Sequence, residues 1–321
     1  MNRDMSHLPA AIASINPRSC LISGQGRLLF EHYRETSLAD EPAVINSCTK
    51  SVLSALICIA IGRGLLPDPA NTPVSTFFPQ LLADPDIRKR DMTLQHLLTM
   101  TAGYRWDEFG GLNSFPRMTR TTDWIAYVMG QPLSEQPGVR MTYNSGVSQL
   151  LSAILSQAAG MSVARFAEET LFGTLGIRRY EWETDPQGIH TGGFGLRLLP
   201  ADLLKLGEMM LRRGSWGGNC LFPSELADRS VRPVVRASPP YEGEYGWHWW
   251  CGTYSPRQSE IVGASDGERT KAAFYYARGF GGQFLYVVPE DELVAVVTQD
   301  SRKRKQPDLF STLIAPMIGG R

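Results

Sequence analysis

Residues 52–61 form the most apolar helical stretch of the chain and predict a buried core helix. The stretch holds no proline or glycine, and Gly62 follows it at a place where helices often end. The segment before it is polar and places Ser47 and Lys50 three residues apart. Side chains at this spacing lie on the same helix face, within reach of each other. A lysine at the start of so apolar a helix is unusual, and we expect it to be buried.

The hydrophobic pattern predicts further helices through the first two thirds of the chain. A helix over 8–15 precedes a β-hairpin with strands at 19–23 and 28–33. Four helices follow over 94–100, 123–129, 147–159 and 163–172, and no convincing strand is predicted between the core helix and about Gly192. One more amphipathic helix is predicted over 200–213.

Strands return towards the C-terminus. Aromatic and β-branched residues dominate four segments, at 245–250, 273–277, 283–288 and 293–298, and a short acidic turn joins the last two. A final helix is predicted over 308–317. The early strands can join the late ones in one antiparallel sheet only if the helical middle folds to one side.

We therefore predict a mixed α/β (α+β) fold, with an antiparallel sheet flanked by helices plus an inserted all-helical subdomain. The sheet domain is discontinuous and takes residues 1–60 and 190–321. The helical subdomain takes residues 61–189, and the active site is expected between the two.

Composition and charge narrow the classes of function. The chain has 321 residues, of which 43% are hydrophobic and 20% charged, as in ordinary globular proteins. Its 32 basic and 32 acidic residues cancel, so no net field favours nucleic acid or an anionic membrane as partner. A basic run at 302–305 is expected to be a solvated loop. The oligomeric state stays open.

The N-terminal segment and the cysteines favour a cytoplasmic location. Residues 1–17 show neither a continuous apolar stretch nor a small-residue cleavage pattern, and no segment has the length of a membrane span. The five cysteines are odd in number, widely spaced and without metal-type spacing, which is typical of reduced thiols. We expect no metal and no organic cofactor.

Ser47 and Lys50 are candidates for a nucleophile and its base. Burial disfavours a charged lysine and can lower its pKa by several units, so that Lys50 could take the proton of Ser47. Backbone N–H groups at the start of the helix would favour a developing negative charge. A Ser-x-x-Lys spacing also arises by chance in roughly one of two such chains, so the pair alone is a weak signal.

Two later segments could complete such a site. Tyr143-Asn144-Ser145, just ahead of the helix at 147–159, offers a phenol that could relay a proton. A helix N-cap region with a packed tyrosine is the more common use of such residues. Residues 277–283 hold glycines within a strand, which indicates either a close approach to the backbone or a bulge.

Together these motifs resemble the three active-site motifs of the serine β-lactamase and penicillin-binding-protein superfamily. The matching motifs, in the family's order, are Ser47-x-x-Lys50, Tyr143-Asn144-Ser145 and Ala277-Arg278-Gly279. The likeness is greatest to the class C β-lactamase-like branch, which includes esterases, D-amino-acid peptidases and 6-aminohexanoate-dimer hydrolases. Segments 92–103 and 171–177 are also similar, so the resemblance covers nearly the whole chain.

The resemblance implies a β-lactamase-like fold and a role for each matching residue. It implies that Ser47 is the acylated nucleophile, Lys50 its neighbouring base and Tyr143 the proton shuttle. The implied oxyanion hole is formed by the backbone N–H groups of Ser47 and Phe280. The implied substrate-binding positions are Ser145, Gly279 and Gly281.

Two departures from the family's pattern bear on the substrate. Ser145 stands where an amide often holds the substrate, and Ala277 stands where β-lactamases carry a lysine. Arg278 should point away if Ala277 points inward, because adjacent strand residues face opposite ways. We expect Ser47 to be acylated by short-chain esters, small amides or peptides, with β-lactams as slow substrates at best. The alternatives are a true β-lactamase, a D-alanyl carboxypeptidase or penicillin-binding activity, and an inactive binding protein with the same fold.

Other conspicuous residues are expected to be structural. They are His32, His96, His190 and His248, which lack metal-ligand spacing, and Trp247, Trp249 and Trp250, one of which could line the pocket. The glycine-rich segment 191–195 lacks the lysine of a phosphate loop and is interpreted as a turn.

Overall fold

A computed structural model describes residues 3–254, 272–301 and 308–318 of the chain. Within these ranges a large antiparallel sheet carries helices on both faces, and a mainly helical region lies beside it. The basic run at 302–305, predicted to be a solvated loop, lies outside the described residues.

Most of the helices lie between the first hairpin of the sheet and its later strands. In chain order, the described α-helices are α1 (Leu8–Ile15), α2 (Thr49–Gly62), α3 (Leu94–Leu98), α4 (Phe115–Met118), α5 (Trp124–Met129), α6 (Ser145–Ala159), α7 (Val163–Ala167), α8 (Gly173–Leu175), α9 (Pro200–Leu211) and α10 (Ser224–Val231). The 3-10 turns are Thr36–Asp40, Asn46–Cys48, Val74–Thr76, Pro79–Ala83, Ile87–Asp91, Pro289–Asp291 and Ala315–Met317, and the π-helical segments are Glu168–Phe172 and Phe310–Ile314.

The strands lie in two parts of the chain, at residues 19–44 and 180–298. They are β1 (Ser19–Gly24), β2 (Arg27–Tyr33), β3 (Ala43–Val44), β4 (Tyr180–Trp182), β5 (Leu196–Leu198), β6 (Ser215–Trp216), β7 (Asn219–Cys220), β8 (Val235–Arg236), β9 (Glu244–Tyr245), β10 (Trp250–Tyr254), β11 (Ala272–Gly279), β12 (Gln283–Val288) and β13 (Leu293–Thr298). Among the described residues, eight of them form one sheet in the order β2-β1-β13-β12-β11-β10-β9-β8. This confirms the prediction that early and late strands share one antiparallel sheet.

The sheet is covered on both faces because its central strands are apolar on both sides. Along β13, Val294 and Val296 pack into the larger core with α2 and α9, whereas Ala295 and Val297 pack into a second core with α1 and the C-terminal segment. All six residues of β12 and of β13 are buried. A continuous apolar run of this kind is typical of a strand with both faces covered.

Three sequence predictions of local structure were wrong. Strand β4 lies within the stretch predicted to be entirely helical and pairs with β5, next to β3. The segment 245–250 is not one strand, because His248 is in the left-handed region (φ 57°) and its N–H donates to Leu98 O at 2.9 Å. The C-terminal helix begins at Leu309 and is mainly π-helical and 3-10 rather than α-helical.

The division into residues 1–60 with 190–321 and residues 61–189 remains a prediction. Within the described ranges, no single helix has both the length and the apolar content to cross a membrane. The segments Ser145–Ala159 and Val163–Leu175 reach that threshold only as a pair, across a bend of 70°.

Candidate active site

Ser47 lies in a 3-10 turn that leads directly into α2. Asn46, just before it, adopts the left-handed conformation (φ 47°), which asparagine tolerates better than most residues. The Thr49 hydroxyl donates to Asn46 O at 2.7 Å and fixes this turn from the first residue of the helix. Ser47 is half-buried, whereas every residue from Thr49 to Ala60 is buried. The hydroxyl therefore lies at the open end of a buried helix.

The amine of Lys50 has three oxygen partners. Its Nζ lies 3.2 Å from Ser47 Oγ, 2.9 Å from Ser145 Oγ and 2.7 Å from the carbonyl oxygen of Gly193. Lys50 itself is 1% exposed. The i, i+3 spacing thus brings the amine and the Ser47 hydroxyl together, as the sequence predicted, and the two further oxygens hold the amine in place.

Burial lowers the pKa of Lys50 to about 8, against the opposing influences of Glu108 and then Cys48. Desolvation disfavours the ammonium form. A neutral amine keeps two N–H donors, enough for Ser145 and Gly193, and turns its lone pair towards Ser47. The neutral form of Lys50 can therefore accept the Ser47 proton.

Tyr143 immediately precedes α6 and is held by aromatic neighbours. Its ring lies 4.9 Å from that of Tyr241 and 6.0 Å from that of Trp250, and Lys50 Nζ lies 4.9 Å from its centroid. Burial and then Glu108 raise its pKa well above the ordinary value, opposed by a hydrogen bond with Ser47. Tyr143 therefore stays a neutral phenol that can pass a proton but is a poor resident base.

The start of α6 is fixed by Asn144, whose side-chain oxygen accepts from the N–H groups of Gly146 at 2.7 Å and Val147 at 3.2 Å. Asn144 is therefore the N-cap of α6, in agreement with the more common interpretation of this segment in the sequence analysis. The cap also positions Tyr143 and Ser145 on either side of it, so a structural role for Asn144 and a site role for its neighbours are compatible.

Glu108 is a site residue that sequence reasoning missed. It belongs to the irregular segment between Trp106 and α4, and its carboxylate accepts from the Trp106 indole at 2.8 Å and from Ser145 N at 2.9 Å. The Ser145 hydroxyl also donates to it. Burial raises the pKa of Glu108, whereas Lys50 and these hydrogen bonds lower it. No spacing or periodicity links this carboxylate to the Ser47 helix, so the sequence carried no signal for it.

Gly193, the third partner of Lys50, was interpreted only as part of a turn. A Cβ atom at Gly193 would come within 3.1 Å of Lys50 Nζ, and one at Gly192 would collide with the carbonyl oxygen of Ser148. The cluster of glycines at 191–195 was a usable signal, because glycine often marks a close approach of the backbone.

The end of β11 lies against the Ser47 turn. A side chain at Gly279 would collide with the carbonyl oxygen of Ile45, and Asn46 Nδ2 donates to Phe280 O at 2.7 Å. Gly281 has φ 82°, and a Cβ atom there would lie 2.6 Å from Ser301 O. Both glycines are required by the chain's own packing, and their predicted contact with substrate remains a prediction.

Ala277 and Arg278 lie on opposite faces of β11. Ala277 is 1% exposed and packs into the core that contains α2. Arg278 pairs across the strands with Phe284 of the opposite core, whereas Ala277 pairs with Leu285 of the core that contains α2. This agrees with the prediction that the arginine points away from Ala277.

A cavity of about 540 Å³ opens beside Tyr143. Aromatic and proline side chains form much of its wall, with Phe109, Pro239, Pro240 and Tyr241 among them. Asp107, Glu108 and Arg140 contribute charged groups. Trp250 stacks on Tyr143 behind this wall. The tryptophan that lines the cavity is Trp106, so the expectation that Trp247, Trp249 or Trp250 could line it does not hold for this cavity.

His248 lies under the site as a buried structural histidine, as predicted. Its Nδ1 donates to Leu98 O at 2.9 Å, so Nε2 accepts from Ser148 Oγ at 3.0 Å. Ser51, next to Lys50, donates to His248 O at 2.7 Å. Burial lowers the pKa of His248 to about 3, with Lys50 contributing in the same direction. His248 thus links three helices around the site, α3 and α6 through its neutral ring and α2 through its backbone carbonyl.

The fold and the serine–lysine pair define a class of protein, the serine β-lactamase and penicillin-binding-protein superfamily, as the sequence motifs indicated. The family model described as Beta-lactamase matches residues 19–310, and the chain belongs to this family.

Solved structures share the fold at low sequence identity. A protein from Bacillus anthracis assigned as a 6-aminohexanoate-dimer hydrolase has a TM-score of 0.76 at 19% identity, covering 96% of this chain and 80% of that one. A class C β-lactamase from Rhodobacter sphaeroides has a TM-score of 0.66 at 14% identity, covering 98% and 97%. A penicillin-binding protein from Bacillus halodurans has a TM-score of 0.67 at 16% identity, covering 93% and 96%.

Proposed function

We propose that this protein is a serine hydrolase that cleaves an ester or a small amide through an acyl-enzyme at Ser47. The observation that carries the proposal is the 3.2 Å contact between Ser47 Oγ and the amine of the buried Lys50. A hydroxyl is a weak nucleophile until a neighbouring base takes its proton. Lys50 is that base, because burial leaves a substantial neutral fraction at mildly alkaline pH.

In acylation, Ser47 Oγ bonds to the carbonyl carbon while its proton moves to Lys50 Nζ. As the bond between the carbonyl carbon and the leaving group breaks, Tyr143, hydrogen-bonded to Ser47 and close to Lys50, gives its proton to the leaving group and takes the proton held by Lys50 Nζ. Tyr143 and Lys50 are then both neutral again. The backbone N–H groups of Ser47 and Phe280 are the proposed donors to the oxyanion. The contact of Asn46 with Phe280 O supports this assignment, because it holds the two segments together.

The environment of β11 favours esters and small amides over β-lactams. Ala277 offers no cation for a β-lactam carboxylate, and Arg278 lies at a position that faces the opposite core, as its cross-strand partner Phe284 does. A lost charge-assisted hydrogen bond costs roughly 1.5–3 kcal/mol, or about ten- to a hundredfold in rate. The aromatic and proline side chains in the mixed polar and apolar wall beside Tyr143 can pack against an alkyl or aromatic substrate group. Ser145, Gly279 and Gly281 remain proposed substrate contacts.

Substrate preference is tested by measuring specificity constants side by side for p-nitrophenyl butyrate, a 6-aminohexanoate dimer, a D-alanyl peptide and nitrocefin. We expect the ester or the small amide to be fastest. If nitrocefin were fastest by tenfold or more, the argument from Ala277 would be wrong and β-lactamase activity would be the better assignment.

Acyl-enzyme formation is tested by exposure to a fluorophosphonate probe followed by mass spectrometry of the peptide that contains Ser47. We expect an adduct in the wild-type protein and none in Ser47→Ala, which should fold normally because Ser47 is half-buried at the end of a helix. An unlabelled wild-type protein would favour the rival view of a non-catalytic binding protein, since fold alone does not establish activity.

A further inference from the structure

A carboxylate lies at the far end of a hydrogen-bonded chain that begins at Ser47. Lys50 Nζ donates to Ser145 Oγ at 2.9 Å, and the Ser145 hydroxyl in turn donates to Glu108 Oε1. An ionised carboxylate can only accept hydrogen bonds, and a hydroxyl has one proton to give. The direction of the chain is therefore fixed, from the lysine through the serine to the glutamate.

Glu108 is held rigidly enough to act at this position. Its second oxygen accepts from Ser145 N and from the indole of Trp106. Both partners are buried, at 3% and 9% exposure. The carboxylate thus has three donors from two buried residues, and these protein groups orient it towards Ser145.

Glu108 is the charged neighbour that favours the ammonium form of Lys50 most strongly. The other titratable groups that influence Lys50 or are influenced by it are Cys48, Tyr143 and His248. These three are neutral at neutral pH, because burial raises the pKa of the thiol and the phenol and lowers that of the imidazole. A change of charge at Glu108 therefore acts on Lys50 without a second anion, among the residues that the structure describes, to mask it.

We propose that Glu108, acting through Ser145, is a positioning residue that keeps Lys50 basic during acylation. The proposal rests on the proposed hydrolase function. As Ser47 Oγ bonds to the substrate carbonyl carbon, its proton moves to Lys50 Nζ and an ammonium ion forms. The anion at Glu108 stabilises that ion through a path whose other members, Lys50 and Ser145, are buried at 1% and 3% exposure.

The same chain can also carry the proton onward. Lys50 Nζ gives one proton to Ser145 Oγ while the Ser145 hydroxyl gives its own to Glu108 Oε1. Lys50 and Glu108 are then both neutral, so the total charge of the pair does not change. The proton returns from Glu108 to Lys50 by the reverse path. This return accompanies the transfer of a proton from Lys50, through Tyr143, to the leaving group.

The proposal is tested by the pH dependence of kcat/KM in Glu108→Gln, which keeps the size of the side chain and removes its charge. Removal of the anion lowers the pKa of Lys50, so the midpoint of the profile should move to lower pH by about one unit or more. The plateau should fall at least about tenfold, because a weaker base transfers a proton less effectively. Glu168→Gln is the matched control, since Glu168 also accepts a hydrogen bond from a hydroxyl group, that of Tyr180, and lies outside the described site.

Ser145→Ala distinguishes the effect of the hydrogen-bonded path between Lys50 and Glu108 from the effect of the Glu108 charge, because it removes the linking hydroxyl alone. Glu108 keeps its charge in this variant, so the midpoint should stay near the wild-type value while the plateau falls. The double variant should lose less than the sum of the two single losses, because both changes act along one chain.

Two results overturn the proposal. One is a folded Glu108→Gln variant with the wild-type plateau, and the other is a lowered plateau with an unmoved midpoint, which indicates a merely structural role. Should Glu108→Gln fail to fold, a wild-type plateau in Ser145→Ala is the result that rejects it. Fluorophosphonate labelling of the wild-type Ser47 keeps the two proposals distinguishable, because an unlabelled wild-type protein refutes the hydrolase function itself.

Discussion

The protonation of Lys50 sets the pH at which the protein should work. With a pKa of about 8, the neutral fraction rises through mildly alkaline pH, and kcat/KM for an ester should rise with it to a plateau. Lys50→Arg keeps the positive charge but cannot deprotonate, so activity should fall at least about a hundredfold at every pH. Lys205→Arg is the matched control, because Lys205 is a partly exposed lysine paired with Asp202. Substantial activity in Lys50→Arg would remove the lysine from the role of base.

His248 should make the protein sensitive to acid. Its pKa of about 3 lies below the ordinary histidine value, so between about pH 6.5 and 3 the unfolded chain binds a proton that the folded chain does not. The free energy of unfolding should then fall by about 1.4 kcal/mol for each unit of pH lost. His248→Asn cannot titrate and tolerates the left-handed backbone. Urea denaturation should show that the difference in the free energy of unfolding between the wild type and His248→Asn narrows as the pH falls below 6.5. If the two proteins lost stability in parallel with pH, His248 would not be the cause of the acid sensitivity.

At the scale of single residues, local spacing was enough to predict the central contact of the site. Ser47 and Lys50 are one helical turn apart, so their contact could be inferred directly from the sequence. The two remaining oxygens around Lys50 come from Ser145 and Gly193, and Glu108 reaches the site through Ser145 at the start of α6. Such contacts depend on how distant segments pack, and a single sequence has no periodic signal for them.

At the scale of elements, the glycine-containing end of strand β11 packs directly against the Ser47 turn. In Gly279→Ala the new Cβ atom would collide with Ile45 O, so the strand must move away from the turn. A displacement of about 1 Å at a catalytic group can cost about a hundredfold in rate. We expect kcat/KM to fall at least about tenfold in the folded variant. Gly130→Ala is the control, because Gly130 has φ −73° and its nearest new contact is 3.2 Å away. Equal activities in the two variants would contradict a positioning role for the glycine.

The alternation of side chains along a strand was enough to predict the opposite orientations of Ala277 and Arg278. It was not enough for the segment 245–250, where aromatic residues predicted one continuous strand. Two backbone contacts there override that preference, since Trp247 N donates to Ser230 O at 2.8 Å and His248 N donates to Leu98 O at 2.9 Å. Tertiary hydrogen bonds of this kind are invisible to a propensity argument.

At the scale of the whole molecule, the stability of the sheet should be separable from the chemistry of the site. Ile22 on β1 is fully buried in the core opposite the α2 face. Ile22→Ala should lower the free energy of unfolding by about 2–5 kcal/mol, whereas Leu28→Ala, at a residue 52% exposed, should change it by about 0.5 kcal/mol or less. The pH midpoint of kcat/KM should be unchanged in both. A shifted midpoint in Ile22→Ala would show that the two faces of the sheet are energetically linked.

The pairing of β1 with β13 has a consequence for how the protein is made. Ser19 pairs with Thr298 and Gly24 with Leu293. Strand β1 therefore cannot pair with β13 until almost the entire chain has been synthesised. At about 5–20 residues per second this interval is on the order of tens of seconds. Throughout it, β1 has an unpaired backbone edge that can join a strand of another nascent chain. On a polysome, several nascent chains with an unpaired β1 edge are close to one another. The yield of folded protein should therefore depend on the rate of translation and on the chaperones that bind β1.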